Sequence, residues 1–164
     1  MGCKHEIFVI ILILLLLMTG TCFAAEGSIY FAGPLFNQAE KDYNLKIANL
    51  LEKHGYKVFL PQRDGFEAAL LEGKTEEEIT KLIFEKDVSE VLKADVLVFN
   101  LDGRIPDEGA CIELGIAYAN GKRCYGIKTD TRSAELGLDL NPMIACCSDG
   151  TRPVIFKITR IDYE

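Results

Sequence analysis

The sequence has few of the residues that commonly bind metal ions. Its only histidines are His5 and His54, and its six cysteines form no CxxC pair and no cysteine–histidine pattern at metal-ligand spacing. The four cysteines beyond residue 25, which include the adjacent Cys146 and Cys147, are typical of small buried apolar residues. We therefore expect no metal site and assign the cysteines no chemistry.

Positive charge is also scarce, since 18 lysines and arginines stand against 25 acidic residues and the net charge is -7. Such a surface would repel a nucleic acid, so a small ligand is the more plausible partner. No G-x-G-x-x-G follows the first predicted strand, and the chain contains no G-x-x-x-x-G-K-[ST]. Dinucleotide and P-loop sites therefore lose their main support, and we expect no cofactor.

The apolar run at residues 7–18 is too short for a typical membrane span, because it has twelve residues where about 20 are needed. Its length is that of a signal-peptide h-region, with Lys4 before it and small residues after it. Residues 22–24 offer an acceptable cleavage site. We predict that residues 1–25 are a signal peptide or an N-terminal membrane anchor, and that residues 26–164 form one domain.

Two alternatives remain for this N-terminal segment. Cys22 also fits a lipoprotein, although residues 19–21 lack the aliphatic residue that usually precedes the lipid-bearing cysteine. If translation starts later, for instance at Met18, the protein would be cytoplasmic. Otherwise it is expected to be exported or anchored to a membrane.

Short apolar strands alternate with amphipathic helices along the domain. The predicted strands are residues 28–33, 56–60, 94–100, 123–128 and 152–158. Capping-box patterns at Asn37 with Glu40 and at Thr75 with Glu78 mark two helix starts. The alternation predicts an α/β fold, a three-layer α/β/α sandwich of flavodoxin-like type with about five parallel strands.

The carboxyl ends of parallel strands lie along one rim of the sheet, where such folds bind ligands. Several polar groups map to this rim, namely Tyr30, a predicted polar loop at residues 62–65, Asp102, Asp107 and the helix that carries Glu113. Carboxylates near a tyrosine, without a metal or nucleotide motif, suit chemistry at a sugar carbon through an oxocarbenium-like transition state.

Glu113 is unusual because it lies in a helix of small and apolar residues. Burial of a charge costs several kcal/mol unless the charge is paired or used, so a functional role is one hypothesis. Spacing alone favours the other, in which Glu113 points to solvent. Asp87, inside the preceding helix, would on pattern alone also be an ordinary solvated acid.

Five segments of the chain resemble the nucleoside 2-deoxyribosyltransferase family over about residues 28–158. They are Ile29–Phe36 (IYFAGPLF), Pro61–Gly65 (PQRDG), Asp87, Pro106–Gly115 (PDEGACIELG) and Asn141–Met143 (NPM). The most specific part is the acid, five-residue gap and Glu-Leu-Gly pattern together with Tyr30. The resemblance implies transfer of a 2-deoxyribosyl group between purine or pyrimidine bases, and it favours the functional interpretation of Glu113.

The resemblance also implies roles for individual residues. Glu113 would be the nucleophile that forms a covalent deoxyribosyl intermediate, and Tyr30 would hydrogen-bond it and fix its orientation. Asp87 and Asp107 match the acids that contact the base and the sugar. One of these two would protonate the departing base.

The resemblance points to further residues for substrate binding. Asn141 matches a residue that reaches the 5'-hydroxyl of a substrate in the neighbouring subunit, and Met143 would line the same wall. A homo-oligomer with shared sites is therefore expected. Gly33 belongs to the first segment, and Gln62 and Arg63 are candidates for the base pocket, although both could equally be loop residues that face water.

Two other functions remain open. A related group, the 2'-deoxynucleoside 5'-phosphate N-hydrolases, transfers the sugar to water, and Arg132 and Ser133 are residues that such an enzyme could use for the phosphate. Asn141 fits a free 5'-hydroxyl better, because an amide offers no charge to a phosphate. The other alternative is a non-catalytic nucleoside-binding domain, since the fold does not decide the function.

Overall fold

The computed structural model describes residues 27–103, 105–133, 137–147 and 155–157. The predicted leader at residues 1–25 lies outside these ranges, as do both ends of the predicted fifth strand. Within the described ranges, none of the helices combines the length and the apolar character that crossing a bilayer requires.

The centre of the domain is one parallel sheet. Its five strands are β1 (Ser28–Ala32), β2 (Lys57–Phe59), β3 (Val96–Asn100), β4 (Arg123–Lys128) and β5 (Ile155–Lys157). Every neighbouring pair is parallel, and the spatial order is β2-β1-β3-β4-β5. The predicted parallel α/β sheet is therefore confirmed, with β1 and β3 at its centre and β2 at an edge.

Among the residues that the structure describes, six helices accompany the strands. They are α1 (Gln38–Lys53), α2 (Pro61–Asp64), α3 (Ala68–Leu71), α4 (Glu76–Lys93), α5 (Glu108–Ala119) and α6 (Pro142–Cys146). Both predicted capping boxes are present, at Asn37 and at Thr75. The predicted loop at residues 62–65 is wrong in part, because Pro61 occupies a first-turn position and starts the short helix α2 there.

The sheet has a hydrophobic core on each face, which gives the three layers of the predicted sandwich. Successive side chains of a strand point to opposite faces. Ile29 and Phe31 of β1 accordingly pack in the core beneath α1, whereas Tyr30 and Ala32 pack in the core beneath α4 and α5. The alternation within β1 thus directs the Tyr30 ring toward the helix that carries Glu113.

Candidate active site

The Tyr30 hydroxyl and the Glu113 carboxylate form the centre of the site. Tyr30 is fully buried in β1, and its Oη donates a hydrogen bond of 2.6 Å to Glu113 Oε1. This length is typical of a strong bond between a hydroxyl and a charged acceptor. Glu113 is only partly exposed and points inward, so it is not the solvent-facing helix acid that spacing alone favours.

One side of α5 is suited to this inward orientation. Ala110, Leu114 and Ala117 are buried against the sheet, while Ile112 is 61% exposed. Glu113 lies beside this buried stripe, since residues three and four apart share a helix face. Because two of the three buried side chains are alanines, the helix contributes little bulk around the carboxylate.

Burial controls the protonation of the pair. The pKa of Glu113 is raised to about 7, chiefly by burial and also by the nearby carboxylates of Asp87 and Asp107, while the Tyr30 hydrogen bond opposes the rise. Burial and the Glu113 charge raise the pKa of Tyr30 far above its ordinary value, so the phenol stays protonated and can donate. Near neutral pH the carboxylate therefore exists in both forms.

Asp87 lies on α4 and is half-buried. Burial raises its pKa, as does the charge of Glu90, while the neighbouring Lys86 opposes the shift. The charge of Asp87 raises the pKa of both Tyr30 and Glu113. A carboxyl group with a raised pKa is suited to donate a proton.

Asp107 is the N-cap residue of α5, six positions before Glu113. Its Oδ2 accepts a hydrogen bond of 2.7 Å from the Ala110 backbone N–H. A carboxylate at this position stabilises the start of the helix through the unpaired N–H groups and the helix dipole. Asp107 thus fixes the helix that positions Glu113, and its predicted contact with the substrate stays a prediction.

Gly33 follows β1 and lies against the end of β3. A Cβ at this position would lie 2.8 Å from Asn100 Cβ, closer than side chains tolerate, so only glycine fits without a shift. The structure therefore explains Gly33 through the packing of two central strands. Its predicted place in substrate binding stays a prediction.

A network of side-chain amides, which no motif of the sequence indicates, holds the loop after β1. The buried Asn44 donates to the Pro34 carbonyl at 2.8 Å, and its own Oδ1 accepts from Asn100 Nδ2 at 2.8 Å. Asn44 shares its spacing with the buried Ala48 and Leu51, so its place in an apolar stripe of α1 was a usable indication of burial.

Gln62 belongs to the same network. Its Nε2 donates to the Lys41 carbonyl at 2.8 Å, and its Oε1 accepts from Asn44 at 3.3 Å. Both ends of the amide are thus bound to the protein. This geometry gives Gln62 a structural role and does not support the predicted contact with a base.

Arg63 is also occupied by protein contacts. Its guanidinium forms ion pairs of 2.8 Å with Glu52 and with Asp64 and donates to the Val58 carbonyl at 2.9 Å. The side chain therefore ties α2 to α1 and β2. As for Gln62, these contacts favour a structural role for Arg63 over the predicted place in the base pocket.

Asn141 and Met143 lie at the start of α6. The Asn141 side chain accepts a 2.9 Å hydrogen bond from the Met143 backbone N–H, and Met143 is 76% exposed. Both residues face solvent within the chain, a position that a second subunit could reach. Their predicted contact with a neighbouring site stays a prediction.

Asp102 links the carboxyl ends of β3 and β4. Its carboxylate accepts hydrogen bonds from the Thr129 N–H at 2.5 Å, from the Thr129 hydroxyl, and from the Asp130 N–H at 2.8 Å. The ammonium group of the buried Lys128 donates hydrogen bonds to the carbonyls of Asp130 and Arg132 in the same loop. Asp102 thus acts as a structural acid that fixes the rim.

Comparisons with known proteins agree with this fold. A family model described as nucleoside 2-deoxyribosyltransferase matches residues 29–145. A conserved protein from Enterococcus faecalis V583 is 33% identical over 68% of this chain and 69% of its own, with a TM-score of 0.59.

Two solved enzymes are similar as well. A 2-deoxyribosyltransferase from Bacillus psychrosaccharolyticus is 25% identical over 74% of this chain and 82% of its own, with a TM-score of 0.62. A 2-deoxyribosyltransferase from Leishmania mexicana is 25% identical over 72% of this chain and 85% of its own, with a TM-score of 0.54. A comparison with curated proteins gave no match.

Proposed function

The chain belongs to the nucleoside 2-deoxyribosyltransferase family, and from this premise we propose that it moves a 2-deoxyribosyl group between purine or pyrimidine bases. The observation that carries the proposal is the 2.6 Å hydrogen bond from Tyr30 to Glu113. It holds a partly buried carboxylate in one orientation, with one oxygen bound by the phenol. The other oxygen, Oε2, is the atom proposed to attack.

In the first step, Glu113 Oε2 attacks the anomeric carbon C1' of the nucleoside, and the bond from C1' to the base nitrogen breaks. The bonding electrons leave with the base, which takes a proton from an acid. In the second step a nitrogen of the acceptor base attacks C1' and displaces Glu113, and the proton on that nitrogen passes to the carboxylate that the acid of the first step has become. Atoms and charges balance over the cycle without a cofactor.

Asp87 is the proposed proton donor. Its pKa is raised by burial, so a fraction of its carboxyl groups carries a proton at a higher pH than an ordinary aspartic acid does. Asp107 fits the role less well, because one of its oxygens already accepts from the Ala110 N–H. Asp107 would instead keep α5, and therefore Glu113, in place.

The missing 2'-hydroxyl of the substrate favours the same chemistry. Without an electron-withdrawing substituent beside C1', positive charge develops there more easily in the transition state. A close wall beside C2' would then exclude ribose, since a site can reject a substrate that carries an additional group.

The test is an exchange assay with purified protein. Deoxyinosine and free adenine should yield deoxyadenosine, and mass spectrometry should detect a deoxyribosyl adduct on Glu113. The Glu113→Ala variant should lose both signals while its affinity for the nucleoside stays largely intact. Turnover that survives this substitution would exclude the covalent mechanism, and nucleoside binding without exchange in the wild type would favour a binding domain.

The N-hydrolase alternative requires a phosphate site. Arg132, which with Ser133 kept this alternative open, binds its own loop, with Nε donating to Asp130 Oδ1 at 2.9 Å. This pairing reduces the positive charge available to a 5'-phosphate and favours a nucleoside substrate. Release of deoxyribose 5-phosphate from a deoxynucleoside monophosphate, without base exchange, would reverse the choice.

Two further proposals complete the function. The exposed Asn141 and Met143 would contact a substrate held by a second subunit, so the active form would be a homo-oligomer. Residues 1–25 would direct export or membrane anchoring, and sequencing the mature N-terminus distinguishes this from a later start.

A further inference from the structure

A row of contacts through Phe59 and Lys86 supports the Tyr30 ring. The Phe59 ring stacks on the Tyr30 ring with a centroid distance of 5.5 Å and an interplanar angle of 19°. The Lys86 ammonium lies 5.3 Å from the centroid of Phe59. Because β2 is an edge strand, Phe59 has a neighbouring strand on one side only, and Lys86 of α4 covers it.

Lys86 is itself held in place. Its Nζ lies 3.4 Å from Glu90 Oε1, and the two side chains are 35% and 18% exposed. Glu90 also binds Lys93 at 2.9 Å, so it is anchored within α4. A lysine whose ammonium group is held over an aromatic face gives a stronger cation–π interaction than a freely moving surface lysine.

The Tyr30 ring needs this support because its hydroxyl must meet one oxygen of Glu113. The bond length is 2.6 Å, and a small tilt of the ring would lengthen it and release the carboxylate. Small errors in the position of reacting groups lower rates strongly even when binding is unchanged. A residue that fixes the ring can therefore affect the transfer step without touching the substrate.

Lys86 also supplies positive charge beside the acids of the site. It opposes the rise in the pKa of Asp87 and lowers the pKa of Glu90 and of Asp64. Its charge thus opposes the rise in the pKa of Asp87, the proposed proton donor. Its position over Phe59 restrains the ring that stacks on Tyr30.

We propose that Lys86 is a positioning residue for the transfer reaction, which acts through Phe59 to hold the Tyr30 ring that orients Glu113. The inference rests on the proposed function, because it assigns Lys86 to the same site. It adds a residue that lies outside the motif segments from which the site residues were predicted.

The kinetic test compares three variants. Lys86→Met keeps the aliphatic stem and removes the charge, so kcat for base exchange should fall by about three- to tenfold while KM stays within about twofold. Lys86→Arg keeps a cation that can stack on Phe59 and should restore most of kcat. Lys81→Met is the matched control, since Lys81 forms a similar pair with Glu85 on the same helix but is 74% exposed.

A double-mutant cycle tests the route through Phe59. In a Phe59→Leu background, Lys86→Met should lower kcat much less than it does in the wild type, because the ring it acts on is gone. Additive effects of the two substitutions would overturn the proposed route. Wild-type kcat in Lys86→Met, or a loss equal to that of Lys81→Met, would overturn the role itself.

A measurement without substrate separates this inference from the proposed function. With ring-labelled tyrosine and phenylalanine, the NMR signals of Tyr30 and Phe59 should shift and their ring flips accelerate in Lys86→Met, but not in Lys81→Met. Unchanged ring signals would refute the positioning role whether or not exchange occurs. A wild type that shows no exchange would refute the proposed function, and the ring signals would then decide whether Lys86 positions Tyr30.

Discussion

Tyr30 Oη and Glu113 Oε1 lie 2.6 Å apart although 83 residues separate them in the chain. The contact depends on packing, because Tyr30 shares one hydrophobic core with Ala110, Leu114 and Ala117 of α5. Burial of the pair raises the pKa of Glu113 to about 7, and the hydrogen bond from Tyr30 works in the opposite direction. The tyrosine thus both orients the carboxylate and keeps part of it ionised near neutral pH.

Replacement of Tyr30 by Phe should make Glu113 less acidic. The substitution removes the hydrogen bond that lowers the pKa of Glu113, so this pKa should rise above about 7. Attack on C1' needs the ionised form, and kcat should therefore rise with pH along a limb displaced to higher pH, with a loss of about tenfold or more at pH 7. The pH profile of exchange checks this. Tyr118→Phe, at an exposed position of α5, should leave the profile unchanged, and an unshifted limb in Tyr30→Phe would contradict the role.

The raised pKa of Glu113 also predicts a cost in stability. Since the pKa in the folded protein, about 7, exceeds the ordinary value of 4.5, the folded state binds the proton more tightly than the unfolded state. The stabilisation that proton binding to Glu113 gives the folded state is complete below about pH 4.5 and is lost as the pH rises through about 7. Glu113→Gln should therefore raise the free energy of unfolding at pH 8.5 by up to about 3 kcal/mol, with little gain near pH 4.5.

Denaturant unfolding of wild type and variant at the two pH values measures this difference. Glu108→Gln is the control, because Glu108 is an exposed acid on the same helix. A gain that is equal at both pH values, or is matched by Glu108→Gln, would show that burial of the Glu113 charge is not the cause.

Local patterns were sufficient for most elements of this fold, although the short helix α2 was predicted as a loop. Alternating strands and helices predicted the parallel sheet, and the two capping boxes predicted the starts of α1 and α4, because backbone hydrogen bonding and apolar periodicity act over a few residues. The inward orientation of Glu113 did not follow from spacing. It depends on which face of α5 meets β1, and the family resemblance rather than the helix pattern pointed to it.

The hydrogen-bond partners of polar side chains could not be predicted from the sequence. Gln62 and Arg63 lie at the expected edge of the sheet, yet their hydrogen bonds go to Lys41 and Asn44 and to Glu52 and Asp64. These partners come from α1 and from α2 itself. Only the packed arrangement of elements determines whether such groups face a ligand or the protein.

The buried amide pair of Asn44 and Asn100 should be essential for stability. Asn44→Leu keeps a similar size but leaves the Asn100 Nδ2 and the Pro34 carbonyl without the partner they have in the structure. Each of these two groups costs about 1–3 kcal/mol when it loses its hydrogen bond, so the free energy of unfolding should fall by about 2–6 kcal/mol. Asn49→Leu, at an exposed position of α1, should change it by less than about 0.5 kcal/mol. Equal effects of the two substitutions would contradict the importance of the pair.

The Asp102 carboxylate should control the opening of the loop after β4. It accepts from the backbone N–H groups of Thr129 and Asp130, and hydrogen bonds to charged groups contribute about 1.5–3 kcal/mol. Asp102→Asn removes the charge and one acceptor oxygen, so amide hydrogen exchange at both positions should accelerate by about tenfold or more. Exchange at Val98, in the middle of β3, serves as an internal control and should be unchanged. The same carboxylate joins β3 to the loop after β4. Faster exchange at Thr129 and Asp130 alone would show that Asp102 stabilises only this loop. Faster exchange at Val98 as well would show that Asp102 stabilises the whole sheet.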